Sequence, residues 1–129
     1  MSVPTVTSAV LCRKIQMPDG PGGPATLVGV LHEILFLANY EAPVFDGYLY
    51  FVLEADGGVY GFSVTWKCEA TALVYESGGT IEIEPGAGLG HLPIPIKLEC
   101  RSDGWYSLEI RVEGELCSRQ SIAVRRLGS

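Results

Sequence analysis

The sequence predicts an all-β protein: a two-sheet antiparallel β-sandwich of about eight strands, forming one domain over residues 1–129. Three observations carry that prediction. Apolar and polar side chains alternate with period two through most of the chain, as they do in strands with one buried face. Sixteen glycines and eight prolines supply turns at the roughly 8–12-residue spacing typical of small sandwiches. Hydrophobic residues make up 47% against 19% charged, which is enough for a core and too apolar for a disordered chain.

The first strand is expected from about Thr5 to Gln16. A loop, Asp19-Gly20-Pro21-Gly22-Gly23-Pro24, separates it from a second apolar segment, Ala25 to Phe36. That segment is ambiguous in period. Leu27, Val30, Leu31, Ile34 and Leu35 make a helical stripe, whereas Val28, Val30 and Ile34 share strand parity. A continuous apolar run is what a strand buried on both faces looks like, and its neighbours are all strands, so the reading is strand. Tyr48 to Glu54 offers Leu49, Phe51 and Leu53 to a core and leaves Tyr48 and Tyr50 on the other side. Val59 to Glu69 puts Tyr60, Phe62, Val64, Trp66 and Cys68 on one face. Glu82 and Glu84, with Ile81 and Ile83 between them, read as the solvent side of a further strand.

Leu92 to Cys100 alternates Leu92, Ile94, Ile96, Leu98 and Cys100 with Pro93, Pro95, Lys97 and Glu99. Residues two apart in a strand point their N–H groups to the same side, so Pro93 and Pro95 remove two donors from one side and predict an edge strand. The cleanest alternation is Trp105 to Val112, with Tyr106, Leu108, Ile110 and Val112 inward and Trp105, Ser107, Glu109 and Arg111 outward. Leu116 to Arg126 follows as its hairpin partner, with Leu116, Ile122 and Val124 on the inner parity. Asp56-Gly57-Gly58, Ser77-Gly78-Gly79, Asp103-Gly104 and Gly114 read as turns where positive φ is cheap. Gly86 to Gly90 reads as a flexible connection. The expected core contains Tyr106, Leu108, Ile110, Ile94, Ile96, Phe62, Trp66 and Phe51.

Ala9-Val10-Leu11-Cys12 in a first strand, Leu27-Val28-Gly29-Val30 in a second, and Asp103-Gly104-Trp105-Tyr106-Ser107-Leu108 followed by Val112-Glu113-Gly114-Glu115 resemble a bacterial domain-of-unknown-function family. Its members are small, free-standing β-sandwich proteins of immunoglobulin-like or C2-like appearance. The resemblance covers nearly the whole chain and implies the fold; it implies no activity. Paired loop aspartates of the C2 kind are missing.

Function is approached by exclusion. A net charge of -6 and a pI near 4.8 argue against nucleic acid, whose binders need cations to displace phosphate counterions. Met1 to Leu11 lacks the basic and long apolar regions of a secretory signal. The longest apolar stretch, Ala25 to Ala38, is interrupted by His32 and Glu33 and falls short of the roughly 20 residues of a membrane span. A soluble cytoplasmic protein with no membrane partner is expected. Cys12, Cys68, Cys100 and Cys117 make no CxxC knuckle, and in that compartment reduced, mostly buried thiols are expected.

Gly86-Ala87-Gly88-Leu89-Gly90 imitates a phosphate loop but leads into a proline-studded strand, without the helix N-terminus that such loops need. His32 or His91 with a cysteine, and Asp46 or Asp103, are the only material for nucleophilic catalysis, and no GxSxG motif accompanies them. Asp19, Asp46, Asp56 and Asp103 stand singly, unlike clustered calcium ligands. No catalytic residue, metal or cofactor is therefore assigned. What remains is aromatic. Tyr48, Tyr50 and Trp105 have outward parity, and such residues dominate binding hot spots. The expectation is a non-enzymatic protein-interaction module that docks another protein or itself. The alternative is a small-molecule or carbohydrate-binding sandwich using Trp105 with Tyr50 as coplanar open rings; a hydrolase stands third.

Overall fold

The computed structural model describes residues 3–16, 26–31, 33–37, 44–69, 73–100 and 103–127. Among them are nine strands: β1 Thr5–Gln16, β2 Thr26–Leu31, β3 Glu33–Leu37, β4 Val44–Glu54, β5 Gly58–Cys68, β6 Leu73–Ile83, β7 Leu89–Glu99, β8 Gly104–Val112 and β9 Glu115–Leu127. They form two sheets, one in the order β2-β1-β4-β7 and the other β3-β9-β8-β5-β6. The architecture is the expected all-β sandwich.

Two details depart from the expectation, and one cause explains both. The apolar segment expected as a single strand over 25–36 is divided into β2, which pairs with β1, and β3, which pairs with β9 in the other sheet. The segment thus crosses from sheet to sheet at one corner and raises the count. Because no hairpin reverses it there, β3 lies along β9 in parallel, Glu33 beside Ala123 through Leu37 beside Leu127. All other pairings are antiparallel. The segment is strand and not helix, which decides its ambiguous period. His32, Asp19 and the loop at 19–24 lie outside the described residues.

The core lies between the sheets. Leu11, Leu49, Phe51, Leu53, Ile96 and Leu98 meet Val64, Trp66, Tyr106, Leu108, Ile110 and Ile122, all essentially inaccessible. Of the eight core residues expected, six are buried; Ile94 and Phe62 are half-buried and pack against the others. Trp66 stacks on Tyr106 with ring centroids 4.8 Å apart and planes 19° apart. Its indole Nε1 donates to the Glu99 carbonyl at 2.9 Å, tying β5 to β7 across the layers. A buried indole left without that acceptor would carry an appreciable desolvation cost.

β7 is an edge strand, as Pro93 and Pro95 require. Its pairing with β4 runs uninterrupted past both prolines, opposite Tyr50 and Tyr48, so the missing N–H groups belong to the open side. The β8–β9 hairpin is a two-residue turn in which Val112 pairs with Glu115. Glu113 (φ 52°) and Gly114 (φ 83°) both have positive φ, the requirement of the turn type whose twist matches paired strands.

Two local expectations are corrected. Ser77-Gly78-Gly79 is no turn but the middle of β6, facing Val64, Ser63 and Phe62. A Cβ on Gly79 would sit 3.3 Å from the Phe62 ring, so the glycine leaves room for the aromatic side chain. The actual turn is Glu84–Ala87, closed by Ala87 N–H donating to the Glu84 carbonyl at 3.0 Å. Leu116 is half-exposed because a bulge between Ile110 and Arg111 shifts the β8–β9 register by one. The extra residue, Cys117, turns inward against the core and Leu116 is thrown outward, as a single inserted residue must do.

Candidate functional site

Strand parity places Tyr48, Tyr50 and Trp105 outward, and all three do point away from the core. They do not form one cluster. Tyr48 and Tyr50 belong to β4 at the centre of the four-stranded sheet, whereas Trp105 belongs to β8 in the five-stranded sheet. The outward sides of the two sheets are opposite faces of the sandwich. The coplanar Trp105–Tyr50 platform expected of a sugar-binding site is therefore not formed. Parity tells inside from outside, but it is blind to which sheet a strand joins.

On the four-stranded sheet the register brings nine outward positions into a block of three rows. Cys12 stands beside Tyr48 and Pro95; Val10 beside Tyr50 and Pro93; Ser8 beside Val52 and His91. None of the nine is acidic, lysine or arginine. Cys12 is buried; Val10, Tyr48, Tyr50 and Val52 are half-buried, and Ser8, His91, Pro93 and Pro95 are exposed. Charged residues, Lys14, Asp46, Lys97 and Glu54, begin only at the next outward position along each strand. At strand and ladder spacings the block measures about 14 Å by 10 Å.

The tyrosines are held, not loose. Tyr50 Oη lies 2.5 Å from His91 Nδ1 on the diagonal of the β4–β7 ladder, and the rings are 5.9 Å apart at 48°. Pro93 and Pro95, opposite the two tyrosines, add rigid rings with little rotamer entropy to lose on binding. The Tyr50–His91 pair escaped the sequence reading because it depends on register between strands some forty residues apart.

The outward side of the five-stranded sheet is of another kind. Glu109, 6% exposed, is its centre. Its Oε1 lies 2.9 Å from Arg111 Nη1 and 3.2 Å from Lys67 Nζ, and its Oε2 lies 3.6 Å from Arg119 Nε. The Thr65 hydroxyl donates to Oε1 at 3.4 Å. Burial alone would raise the Glu109 pKa, but hydrogen bonds and charge from Arg111 and Lys67 outweigh it and hold the carboxyl below its ordinary range. Sequence parity left Ser107 and Glu109 in solvent; the long side chains that converge on Glu109 cover them.

Trp105 sits on this second face, 54% exposed. It lines a shallow hollow of about 270 Å³ with Asp103, Ala123 and Arg125. A neighbouring hollow of about 450 Å³ is lined by Lys67, Glu69, Ser107, Glu109 and Arg119. Arg125 is engaged by Glu33 at 2.8 Å. Trp105 is thus an isolated ring among paired charges, whereas Tyr48 and Tyr50 lie within a continuous uncharged area.

None of the four cysteines is disulfide-bonded; Cys12, Cys68 and Cys100 are buried and Cys117 half-buried. Burial pushes the Cys100 thiol up to about 11, against a smaller opposing effect of the Phe45 backbone, and also raises Cys12. Such thiols are poor nucleophiles at neutral pH. His91 Nδ1 is engaged by a tyrosine, not by a cysteine or serine. Asp46, Asp56 and Asp103 do not converge: among the described residues no three His, Cys, Asp or Glu side chains are placed to hold a metal ion. No helix among them is long and apolar enough to cross a membrane.

Fold and site together define a two-sheet β-sandwich with an uncharged aromatic block at the centre of one outward face and the ion pairs of Glu109 at the centre of the other. No protein-family model matches the chain, and no curated protein matches it.

Proposed function

We propose that this protein is a non-enzymatic, cytoplasmic interaction module that docks another protein through the outward face of its four-stranded sheet, with Tyr48 and Tyr50 at the centre of contact. The observation that carries the reading is the in-register block around those two tyrosines, nine outward positions without a formal charge. Interface centres are depleted of charge and enriched in aromatic rings, with polar residues around them. Lys14, Asp46, Lys97 and Glu54 supply such a rim. The block is the size of a hot-spot centre; a standard interface of about 800 Å² per partner would extend over the rim. The four unbridged cysteines suit a reducing compartment. Kinship with the small bacterial β-sandwich family belongs to the same proposal. The strand and turn residues that carry it, Gly104 and Glu113-Gly114 among them, serve the fold.

The test is affinity capture from the native host with the wild type and with a Tyr48→Ser/Tyr50→Ser double variant, after circular dichroism confirms that both are folded. A partner retained by the wild type and lost from the variant supports the reading. The same partners on both proteins, or turnover of substrates by the wild type in a broad hydrolase panel, contradict it.

A further inference from the structure

A sandwich of two open sheets has four edge strands, and three of these are protected. β7 has Pro93 and Pro95 on its open side. β2 and β3 are only six and five residues long, and short edges are a common protection against unwanted pairing. β6 differs from all of them. It runs eleven residues, Leu73–Ile83, is paired along its length with β5, and contains neither proline nor lysine. Among the described residues no backbone hydrogen bond reaches its other side. Glu76, Gly78, Gly79, Thr80 and Glu82 are exposed, so two consecutive glycines leave the middle of this open ladder with no side-chain cover.

We infer that β6 is a strand-addition site for an extended basic peptide segment, a surface on the other sheet that meets the uncharged face only along its margin at Pro95, Asp46 and Lys97. Charge selects the occupant. Glu76, opposite Thr65, and Glu82, opposite Val59, stand on the same outward side, and neither has a cationic partner among the described residues. A strand laid along β6 in either direction sets residues of the same spacing beside them. Lys or Arg there is attracted, and an acidic residue is repelled. The same rule disfavours a second copy. Two-fold antiparallel pairing centred on Gly79 sets Glu76 of each copy against Glu82 of the other, in a chain of net charge -6. Shape adds an anchor point. Between the edges of the two sheets a hollow of about 290 Å³ is lined by the inward-parity Tyr75 and Ile96 and by Pro95, Asp46 and Lys97 from the outward side of the four-stranded sheet. It suits an apolar side chain next to one of the basic residues. Backbone bonds would supply affinity and alternate side chains specificity, as in other strand-addition sites.

The test uses the full chain and a synthetic capped peptide, Lys-Val-Thr-Val-Thr-Val-Lys, whose lysines match the spacing of Glu76 and Glu82. Binding is read by fluorescence polarisation and by hydrogen exchange of the β6 amides. The expected result is saturable binding that protects β6. It should weaken about tenfold when both lysines become glutamates, and several-fold in a Glu76→Gln/Glu82→Gln protein, since each cross-strand charge pair contributes modestly. Methylating alternate peptide nitrogens, which removes the ladder donors, should abolish it. The inference is overturned by no binding, by equal binding of the lysine and glutamate peptides, by indifference to N-methylation, or by protection at any edge other than β6. Concentration-dependent β6 protection without peptide would show a second copy as the occupant, and would overturn it equally.

Discussion

Replacing Glu109 by glutamine removes one negative charge from beneath three cations while nearly preserving shape. In the wild type Arg111, Lys67 and Arg119 share that carboxylate. Breaking a fully buried pair costs about 3–5 kcal/mol. Here the cations are 33–57% exposed, so water screens them, and each contact is nearer the 0.2–1 kcal/mol measured for exposed pairs. Three such contacts, with glutamine keeping one acceptor, give a loss of about 1–2 kcal/mol at pH 7. For a chain of this size that lowers Tm by roughly 3–10 °C. Urea unfolding followed by the fluorescence of Trp66 and Trp105 measures the difference. The carboxyl pKa is lowered in the folded state from 4.5, so the unfolded chain binds the proton more readily. The stabilisation is therefore complete above that value and is lost as pH falls through the lower, folded one. The gap between wild type and variant should narrow on acidification from pH 7 to about pH 3. A variant as stable as the wild type at pH 7, or a gap unchanged by acid, would refute the reasoning.

Other perturbations test other parts of the fold. Gly114→Ala should cost about 1–3 kcal/mol in urea unfolding, wholly from the backbone. The residue has φ 83° and an added Cβ would meet nothing within 4 Å. Maleimide labelling followed by mass spectrometry should modify Cys117 first, with Cys12, Cys68 and Cys100 reacting only as the chain unfolds. All four should react in denaturant without reductant, and a shortfall would mean a disulfide. Replacing Pro93 and Pro95 together by threonine should open the β7 edge. Light scattering should then show self-association or aggregation at unchanged Tm, and a variant that stays monomeric would remove the protective role assigned to the prolines.

How far the sequence revealed this molecule depends on the range of the interaction concerned. Alternation within one strand is local, so Leu49, Phe51, Trp66, Tyr106, Leu108 and Ile110 were legible as core. Pro93 and Pro95 marked an edge strand because a missing donor is a property of the residue itself. What failed was set by neighbours. The bulge that carries Cys117 inward is fixed by pairing with β8, and Leu116 paid for it in exposure. Gly78 and Gly79 have the composition of a turn, yet they lie in mid-strand, where a Cβ would meet the Phe62 carbonyl oxygen at 2.9 Å and the Phe62 ring at 3.3 Å respectively. The corner crossing between β2 and β3 left no mark in a uniformly apolar run. Tyr48, Tyr50 and Trp105 do face outward as parity predicts, but only sheet membership separates the tyrosines from the tryptophan. The Glu109 cluster assembles Lys67 and Arg119 from two flanking strands, and no spacing along the chain announces it.

The central claim is that the centres of the two outward faces differ in kind, one an uncharged block proposed for docking and the other held by the ion pairs of Glu109. Hydroxyl-radical footprinting of the protein alone and in complex with its captured partner, read residue by residue by mass spectrometry, compares both faces in one sample. The account predicts strong protection of Tyr48 and Tyr50 in the complex, with Trp105 labelled as heavily as in the free protein. Protection of Trp105 with Tyr48 and Tyr50 unchanged would contradict it.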